Sequence, residues 1–538
     1  MKSFKLVLIF SLILSIQAFA HTEFPGWPHT VIYDELLMRI PCSPIIANLD
    51  SLPDLEIVYR PEYDSIFVWK YDSFPLAGWP AFYSPGTFSW KSTCAVGDMD
   101  GDGHNDVVAL MVEDTASIAK LYVYHENGTI HNGFPTPITP SACYGPTISD
   151  LDKDGKLETV IVPLHDNCIY VVDDDGNFLP GWPKKIHFEI EYERFNGNAA
   201  IGDLDLDGYP DIVAVSGYHL FAWSWNGIPL PGFPVNGPEN WWMGYGYHSV
   251  LSDLEQDGKL EILVSACCGL NDWGGMLCAW NSDGEPLPGF PIINEVDPTC
   301  APIPVDIDQD GYKEIIWCTY YAGDGYPNIH LFRHDGTYQP GWPIYFEWAH
   351  HFGDPIVADV NNDGWAEIII TDNGLENRKG RYYAYDRFGN LLSDYPKEIK
   401  GFARPPTLGD VNLDDTLDLV MSTDIPRVNP DTTFFFVHLL NMHTPYNPSL
   451  ILWGKEYHDN YNTNNTEFGL IFIPGDTNHD GMVDIKDVLR LVYYLFKSGI
   501  PPYPLKSGDA NSDSRVDIVD AVYIIKYILL GGPAPVQP

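Results

Sequence analysis

Acidic side chains recur along this chain at a spacing that can bind a hard cation. The pattern is Asp-x-Asp-x-Asp-Gly-x-x-Asp/Glu, in which positions 1, 3, 5 and 9 offer side-chain oxygens and position 7 offers its backbone carbonyl. A ligand set made only of oxygen, with several carboxylates, favours Ca²⁺ over Mg²⁺ and over softer metals. The glycine at position 6 permits the sharp turn that such a loop needs. The clearest copy consists of Asp98, Asp100, Asp102 and Asp106, with the carbonyl of His104.

Six further copies follow at a period of roughly 52 residues, which predicts about seven calcium ions in one repeat domain. A solvated acidic turn is the alternative for one copy, but a set at fixed spacing favours metal sites. A worn copy at Asn48 is interrupted by Leu52 and Pro53, and no metal is predicted there. The side-chain ligands predicted for the six copies are Asp150, Asp152, Asp154 and Glu158; Asp203, Asp205, Asp207 and Asp211; Asp253, Glu255, Asp257 and Glu261; Asp306, Asp308, Asp310 and Glu314; Asp359, Asn361, Asp363 and Glu367; and Asp410, Asn412, Asp414 and Asp418.

The net charge of the chain is consistent with this interpretation. The 538 residues include 74 Asp and Glu against 30 Lys and Arg, a formal net charge of −44. Such a surface repels phosphate backbones and anionic lipids, so nucleic-acid binding and membrane insertion are not expected. With 45% hydrophobic and 14% aromatic residues, the chain is nevertheless able to bury a large core.

The first twenty residues have the character of a secretory signal peptide. A basic start is followed by an apolar run and by a small-x-small site at Ala18-Phe19-Ala20. The apolar run is short for a membrane anchor, which is the alternative. We therefore predict a signal peptide over 1–20 and an extracellular or surface-associated protein.

The elements that position the acidic loops are predicted to be short strands. Each repeat contains one strand before the loop, an apolar strand after it, an aromatic alternating strand, and a fourth strand marked by a Gly-aromatic-Pro triplet such as Gly78-Trp79-Pro80. Four strands per repeat predict an all-β propeller over 21–454, with eight blades, or seven if the worn first repeat only closes the ring. The segment around Gly26-Trp27-Pro28 is expected to supply the outer strand of the last blade.

These paired signals resemble the FG-GAP/VCBS-type repeat. The resemblance implies a calcium-stabilised β-propeller. It implies an activity only weakly, because this fold hosts many functions.

A different module is predicted over 474–538, after a polar, Asn-rich segment at 455–473 that is interpreted as a linker, or as the last propeller edge running into one. Two segments align, each with a twelve-residue EF-hand-like calcium loop followed by a helix, and each has Asp at position 12 where an EF-hand has Glu. We expect Val522, Ile525, Ile528 and Leu529 to share one face of the second helix. The predicted ligands are Asp476, Asn478, Asp480, Asp484 and Asp487 with the carbonyl of Met482, and Asp509, Asn511, Asp513, Asp517 and Asp520 with the carbonyl of Arg515.

The duplicated loop and helix are similar to the type I dockerin domain. The resemblance implies folding on calcium, with two ions bound, and binding to a cohesin on another protein. It places the partner-specificity pairs at Ile485-Lys486 and Ile518-Val519. A self-contained calcium domain without a cohesin is the alternative.

The propeller face opposite the acidic loops is predicted to be aromatic, which suits stacking on sugar rings or anchoring a protein. Two functions therefore compete. One is a non-catalytic propeller that binds carbohydrate or protein and docks through its C-terminal module, and the other is a polysaccharide lyase or glycoside hydrolase. The predicted ligand-binding residues are Trp90, Trp241, Trp242, Trp348 and His350, and the carboxylates that a hydrolase would require are sought among Glu189, Glu191, Glu193, Glu239 and Glu347.

Overall fold

The computed structural model describes most of the propeller, the two C-terminal helices and parts of their loops. The described residues are 21–33, 42–50, 52–61, 65–82, 87–88, 93–113, 118–138, 145–163, 167–186, 195–238, 241–242, 248–268, 274–319, 328–345, 354–372, 379–429, 432–466, 475, 477, 483, 485–497, 510–511, 516, 518–530, 532–533 and 535.

Eight antiparallel sheets follow one another along the chain and form the blades of a β-propeller. This confirms the predicted fold with eight blades rather than seven. Blade 1 contains Ile45–Ala47, Glu56–Tyr59, Ser65–Lys70 and Ala81–Phe82. Blade 2 contains Ala95–Gly97, Asp106–Glu113, Ile118–Tyr124 and Thr136–Ile138, with Thr87–Phe88 added. Blade 3 contains Thr147–Ser149, Glu158–Ile161, Cys168–Val172 and Lys184–Lys185, and blade 4 contains Phe195–Gly202, Asp211–Ser216, His219–Trp223 and Val235–Asn236.

The remaining blades follow the same order. Blade 5 contains Ser249–Ser252, Glu261–Cys268, Gly275–Trp280 and Ile292–Asn294, with Trp241–Trp242 added. Blade 6 contains Ile303–Val305, Glu314–Cys318 and Ile329–Phe332, and blade 7 contains Ile356–Ala358, Glu367–Asp372, Lys379–Tyr385 and Lys397–Lys400. Blade 8 contains Thr407–Gly409, Thr416–Asn429, Thr432–Pro445 and the N-terminal strand His29–Tyr33, with Thr22–Glu23 and Phe402–Ala403 added.

The N-terminal strand closes the ring, as predicted. His29–Tyr33 pairs antiparallel with the last long strand, and His29 lies opposite Val437. The last blade is therefore assembled from both ends of the propeller sequence.

The Gly-aromatic-Pro triplet joins neighbouring blades. The indole of Trp79 in blade 1 donates a hydrogen bond to the carbonyl of Glu126 in blade 2, over 2.8 Å. A Cβ at Gly78 would lie 1.9 Å from the carbonyl oxygen of Asn127, so only glycine allows this approach. The core lies between the facing blades, where Val58 packs in one cluster with residues of blade 2.

Residues 450–466, which we call the axial segment, run along the first strands of the blades. These strands contact one another around the centre of the ring. Their backbone N–H groups donate to carbonyls of the axial segment, for example Val96 to Asn460 at 2.9 Å and Leu251 to Asn464 at 2.8 Å. Blade 6 has Pro304 at the equivalent position and instead uses the ammonium of Lys313. The axial segment bonds to all eight blades through Asp359, Leu408, Ile46, Val96, Ile148, Ile201, Leu251 and Lys313.

Asparagine side chains complete this pairing. The amide nitrogen of Asn462 donates to the carbonyls of Cys94 and Pro146 at 2.9 and 2.8 Å, and its oxygen accepts a bond from the Lys455 ammonium at 3.1 Å. Asn462 is completely buried. Burial also lowers the pKa of Lys455, to about 8.

Of the two interpretations of 455–473, the bonds of its first part fit the last propeller edge. Up to Thr466, the polar residues belong to the propeller because their side-chain and backbone groups satisfy the inner strand edges. An Asn-rich sequence is typical of a linker, and its composition does not show that these amides have buried partners.

The two C-terminal helices are α1, Ile485–Lys497, and α2, Ile518–Leu530. They pack through a small core in which Leu491 and Ile524 are completely buried. Two residues of the apolar face predicted for α2, Val522 and Leu529, are 42% and 68% exposed. The face that meets α1 is centred on Ile524, so these two residues point away from it.

We predict that Asn462→Ala destabilises the propeller by about 2–3 kcal/mol, because it removes the amide that donates to two buried carbonyls and one of the two acceptors of the buried Lys455 ammonium. The free energy of unfolding in urea, measured with calcium present, checks this. The exposed Asn127→Ala is the control and should cost less than about 1 kcal/mol. Equal stability of the two variants would show that the axial segment contributes nothing to the fold.

Candidate metal centres

Each acidic loop is folded by hydrogen bonds from its own backbone to its own carboxylates. In blade 3 the N–H of Leu151 donates to Glu158 at 2.7 Å, and the N–H of Gly155 donates to Asp150 at 3.1 Å. The first bond joins position 2 to position 9 and occurs in all eight blades. Its acceptors are Glu56, Asp106, Glu158, Asp211, Glu261, Glu314, Glu367 and Asp418.

Four loops bring positions 1, 3 and 9 together. In each, one oxygen from each of the three side chains lies within 4.8 Å of the others. This is the arrangement expected of a site that encloses one cation. The groups are Asp98, Asp100 and Asp106; Asp150, Asp152 and Glu158; Asp203, Asp205 and Asp211; and Asp306, Asp308 and Glu314.

The position 5 side chains are outside these three-residue groups and accept a hydrogen bond from a backbone N–H of their own loop. Asp102 accepts a hydrogen bond from the N–H of His104 at 2.9 Å, which shapes the turn. The same bond is made at this position in the other six complete loops, by Asp154, Asp207, Asp257, Asp310, Asp363 and Asp414.

The three remaining loops are less convergent. In blade 5 the carboxylates of Asp253 and Glu261 bind backbone N–H groups, and Glu255 joins no three-acid cluster among the described residues. In blade 7 the amide nitrogen of Asn361 donates to Glu367 at 2.9 Å. In blade 8 the amide of Asn412 is turned in the same way, towards Asp414. Rotation of either amide would direct its oxygen to the loop centre.

Without a cation, the charged form of the buried position 9 carboxylates is disfavoured. Burial, together with the neighbouring acids, raises the pKa of Glu314 to about 9 and the pKa values of Glu158 and Glu367 to about 8. Burial and nearby acids likewise raise the pKa of Asp418 to about 8. A divalent cation among these groups would reverse the effect, because it favours the charged form.

Several loop oxygens have no hydrogen-bond partner although they are buried. They include one oxygen each of Asp150, Asp203, Asp308 and Asp418. A buried carboxylate oxygen without a donor is costly, and a hard cation is the natural partner for it. The residues present therefore fit Ca²⁺.

In blade 1 a lysine ammonium bonds to the acidic loop. Lys70, at the end of the third strand, donates to Asp50 at 2.5 Å, and Asp50 is position 3 of the worn loop. In blade 6 the amide of Gln339 reaches the corresponding Asp308 at 2.6 Å. Sequence reasoning missed these contacts, although both residues lie at fixed distances before the Gly-aromatic-Pro triplet.

Adjacent loops are also bonded to one another. The N–H of Leu157 in blade 3 donates to the carbonyl of Met99 in blade 2, and Lys313 and Leu254 repeat this between blades 6 and 5, both at 3.1 Å. Between blades 1 and 8 the bond joins Leu55 to Val411 at 2.9 Å. A cation that orders one loop therefore also orders the contact with the next blade.

The position 12 acids of the C-terminal loops, Asp487 and Asp520, are completely buried. They accept the N–H groups of Thr477 at 2.8 Å and of Asn511 at 3.2 Å. Each acid thus ties the start of its helix to the start of its loop. The other predicted ligands lie outside the described residues, namely Asp476, Asn478, Asp480, Met482, Asp484, Asp509, Asp513, Arg515 and Asp517.

Most predicted ligand-binding residues also lie outside the described part of the chain. Trp241 and Trp242 form a short strand against Cys267 and Cys268 in blade 5. The residues outside are Trp90, Trp348 and His350, and with them Glu189, Glu191, Glu193, Glu239 and Glu347.

Comparison with known families agrees with both modules. The FG-GAP-like repeat family matches residues 98–161, 150–214 and 306–370, and the type I dockerin domain matches residues 474–529. The chain carries FG-GAP repeats and a C-terminal type I dockerin domain. Dockerin domains bind calcium and dock to cohesins, and an FG-GAP propeller has a binding role. No curated protein matches the chain in sequence.

Solved structures with some likeness to this FG-GAP propeller are distant. The Dos1 propeller is 8% identical, with 77% of this chain and 95% of that chain covered and a TM-score of 0.43. BBS1N in complex with ARL6DN is 13% identical over 67% and 95%, with a TM-score of 0.42. The C-terminal domain of Pseudomonas aeruginosa PilY1 is 11% identical over 74% and 92%, with a TM-score of 0.37. We infer no function from structures with TM-scores this low.

We predict that Glu158→Gln weakens calcium stabilisation of the propeller but leaves the calcium-free protein intact at pH 7. Without metal the pKa of Glu158 is about 8, so the acid is protonated and glutamine resembles it. With excess calcium the variant should lose about 2–3 kcal/mol of the free energy of unfolding, equivalent to a site weakened about 100-fold. Chemical denaturation with and without calcium measures this.

The exposed Glu285→Gln is the matched control, and it should leave the free energy of unfolding unchanged both with and without calcium. The pH gives a second test, because the folded-state pKa lies above the unfolded value of about 4.5. In calcium-depleted buffer, wild-type stability should therefore fall as the pH rises through about 8, and the Glu158→Gln protein should show a shallower fall. Equal calcium stabilisation of wild type and Glu158→Gln would remove Glu158 from the ligand set.

Proposed function

We propose that this protein is a secreted calcium-binding propeller that binds a carbohydrate or protein ligand and attaches through its dockerin to a cohesin-bearing extracellular or surface complex. The propeller is proposed to bind about seven calcium ions, and the dockerin two. The observation that carries it is a repeated exposed surface on the two dockerin helices.

The two helices expose the same positions in the same order. Ile485 at the start of α1 is 50% exposed, and Ile518 at the start of α2 is 45% exposed. One turn later, Leu489 and Val522 are also exposed. Large apolar side chains held open on ordered helices mark a protein interaction surface. Each helix therefore offers an equivalent apolar patch beside its calcium loop.

The specificity pairs implied by the dockerin resemblance fall on these patches. Lys486 and Val519 follow the two isoleucines and are also exposed. The following residues, Asp487 and Asp520, are buried against their loops. Calcium would thus order each patch by fixing the residue beside it, which ties partner binding to the metal.

Two considerations support a location outside the cell. Dockerin-bearing proteins are typically extracellular or attached to the cell surface. The acidic loops suit a medium rich in calcium. Within the described residues, no helix has the length and apolar character needed to cross a membrane.

The propeller is proposed to meet its ligand on a loop surface rather than along its axis. The inner strand edges are already bonded to the axial segment, in which Thr463 and Asn464 are completely buried. A polymer or protein would then contact loops at a face of the ring. The aromatic residues predicted for the face opposite the acidic loops are the proposed contacts.

We predict that the double variant Ile485→Asp with Ile518→Asp lowers the affinity for a cohesin more than about 30-fold, because charges replace two exposed apolar anchors. Calorimetry of the full chain with a panel of type I cohesins in calcium measures this. Leu530→Asp is the control, since Leu530 is exposed at the far end of α2. Strong cohesin binding by the double variant would contradict the proposed surface.

The ligand and the absence of catalysis are tested together. The full chain in calcium should bind members of a glycan array or a surface protein, and should release no reducing or unsaturated ends from polysaccharides. Repeating both assays in EDTA identifies the calcium-dependent part. Calcium-dependent depolymerisation would replace the binding proposal with a polysaccharide-degrading enzyme.

A further inference from the structure

Blade 2 differs from the other blades in the turn that faces its acidic loop. The turn contains two histidines, His125 and His131, whose rings stack with their centroids 3.5 Å apart. The Nε2 atom of His131 lies 2.8 Å from Asp106, and its Nδ1 atom lies 3.9 Å from Asp100. The Nδ1 atom of His125 lies 3.7 Å from the same oxygen of Asp106.

The backbone identifies the equivalent residues in the other blades. The N–H of His131 donates to Val123, and the same bond is made by a leucine in five blades and by Gln339 in blade 6. The N–H of His125 bonds across the turn to Thr129, as Lys70 does to Phe74 in blade 1. The five leucines are Leu76, Leu179, Leu230, Leu287 and Leu392, and the other residues equivalent to His125 are Asp173, Ser224, Asn281, Arg333 and Asp386. Among these described turns, blade 2 alone has two imidazoles.

Contacts in other blades show that the positions of His125 and His131 both face the acidic loop. Lys70, equivalent to His125, bonds to loop position 3 in blade 1. Gln339, equivalent to His131, bonds to loop position 3 in blade 6. Position 3 in blade 2 is Asp100, and one ligand atom each of Asp100, His125 and His131 lie within 4.8 Å of one another.

This donor set has a chemistry different from that of the other loops. Imidazole nitrogen binds Zn²⁺, Co²⁺, Ni²⁺ and Cu²⁺ far better than it binds Ca²⁺, which takes oxygen ligands. Two imidazoles and one carboxylate are also a sufficient set for a zinc ion that keeps a fourth position for water. His131 is only 5% exposed, so its ring is held in place by its surroundings.

We propose that Asp100, His125 and His131 form a binding site for a borderline divalent transition ion, of the Zn²⁺ or Co²⁺ class, beside the oxygen ligands of the blade 2 loop. Asp100 belongs to both groups and bridges them, because it also converges with Asp98 and Asp106. Two cations sharing a carboxylate a few ångströms apart are a familiar arrangement in proteins. The site gives blade 2 a metal preference that the all-oxygen loops lack.

The test titrates Co²⁺, and separately Zn²⁺, into the untagged full chain held in a large excess of Ca²⁺. We expect the visible absorption of Co²⁺ with nitrogen ligands, and about one Zn²⁺ retained per chain by elemental analysis. His131→Leu restores the residue found in five other blades and should weaken binding more than about 100-fold, since loss of a direct ligand exceeds the usual second-shell effect. His125→Asn restores the residue of blade 5 and should act in the same direction.

His104→Leu is the control, because His104 lies in the same loop and is assigned only a backbone carbonyl as ligand. It should bind both ions as the wild type does. Circular dichroism in calcium checks that each variant is folded, and if His131→Leu were unfolded, His125→Asn would decide the question. Wild-type protein that retains neither ion in calcium, or folded variants that bind as well as wild type, would overturn the proposal.

Discussion

One buried hydrogen bond organises every blade of this propeller. It joins the carboxylate at loop position 9 to a backbone N–H seven residues earlier, as Glu158 does with Leu151. The bond closes the loop, fixes where the second strand begins and brings the acidic oxygens together. It also buries a carboxylate among other carboxylates, an arrangement that requires a proton or a cation. The acidity of the chain is therefore in part a consequence of the loop that joins the first two strands of each blade.

Contacts between blades then convert eight separate sheets into one ring. The loops bond to their neighbours through backbone groups, and the triplet indoles reach across to the next blade near the outer strands. At the centre the axial segment bonds to the first strands of seven blades and to Lys313 of blade 6. Disorder in one loop would thus remove contacts of the adjacent blade. The free energy of folding of the ring therefore includes contributions from the interfaces between its repeats.

The repeated part of this structure could be predicted from the sequence because each feature recurs. The loop pattern and the triplet were accessible in this way, and the first triplet, Gly26-Trp27-Pro28, marked the N-terminal segment that closes the ring. The axial segment was harder to predict, since the amide of Asn462 donates to backbone carbonyls in two different blades, and Lys455 is buried against carbonyl and amide oxygens of the segment itself. Turn residues such as Lys70 were also missed, because a salt bridge to Asp50 depends on packing between strands that a linear pattern does not show. The orientation of Asn361 likewise depends on the folded loop.

The two closures of the ring set the order in which this chain can fold. His29 pairs with Val437, and the first strands pair with residues 450–466, so both closures wait for the last part of the propeller to be synthesised. Contacts between such distant residues make folding slow, because a long loop must close before the contacts form. The early blades therefore lack their bonds to the axial segment until residues 450–466 are present. Completion of the ring therefore depends on residues near the end of the propeller sequence, and the N-terminal strand has no partner until they are present.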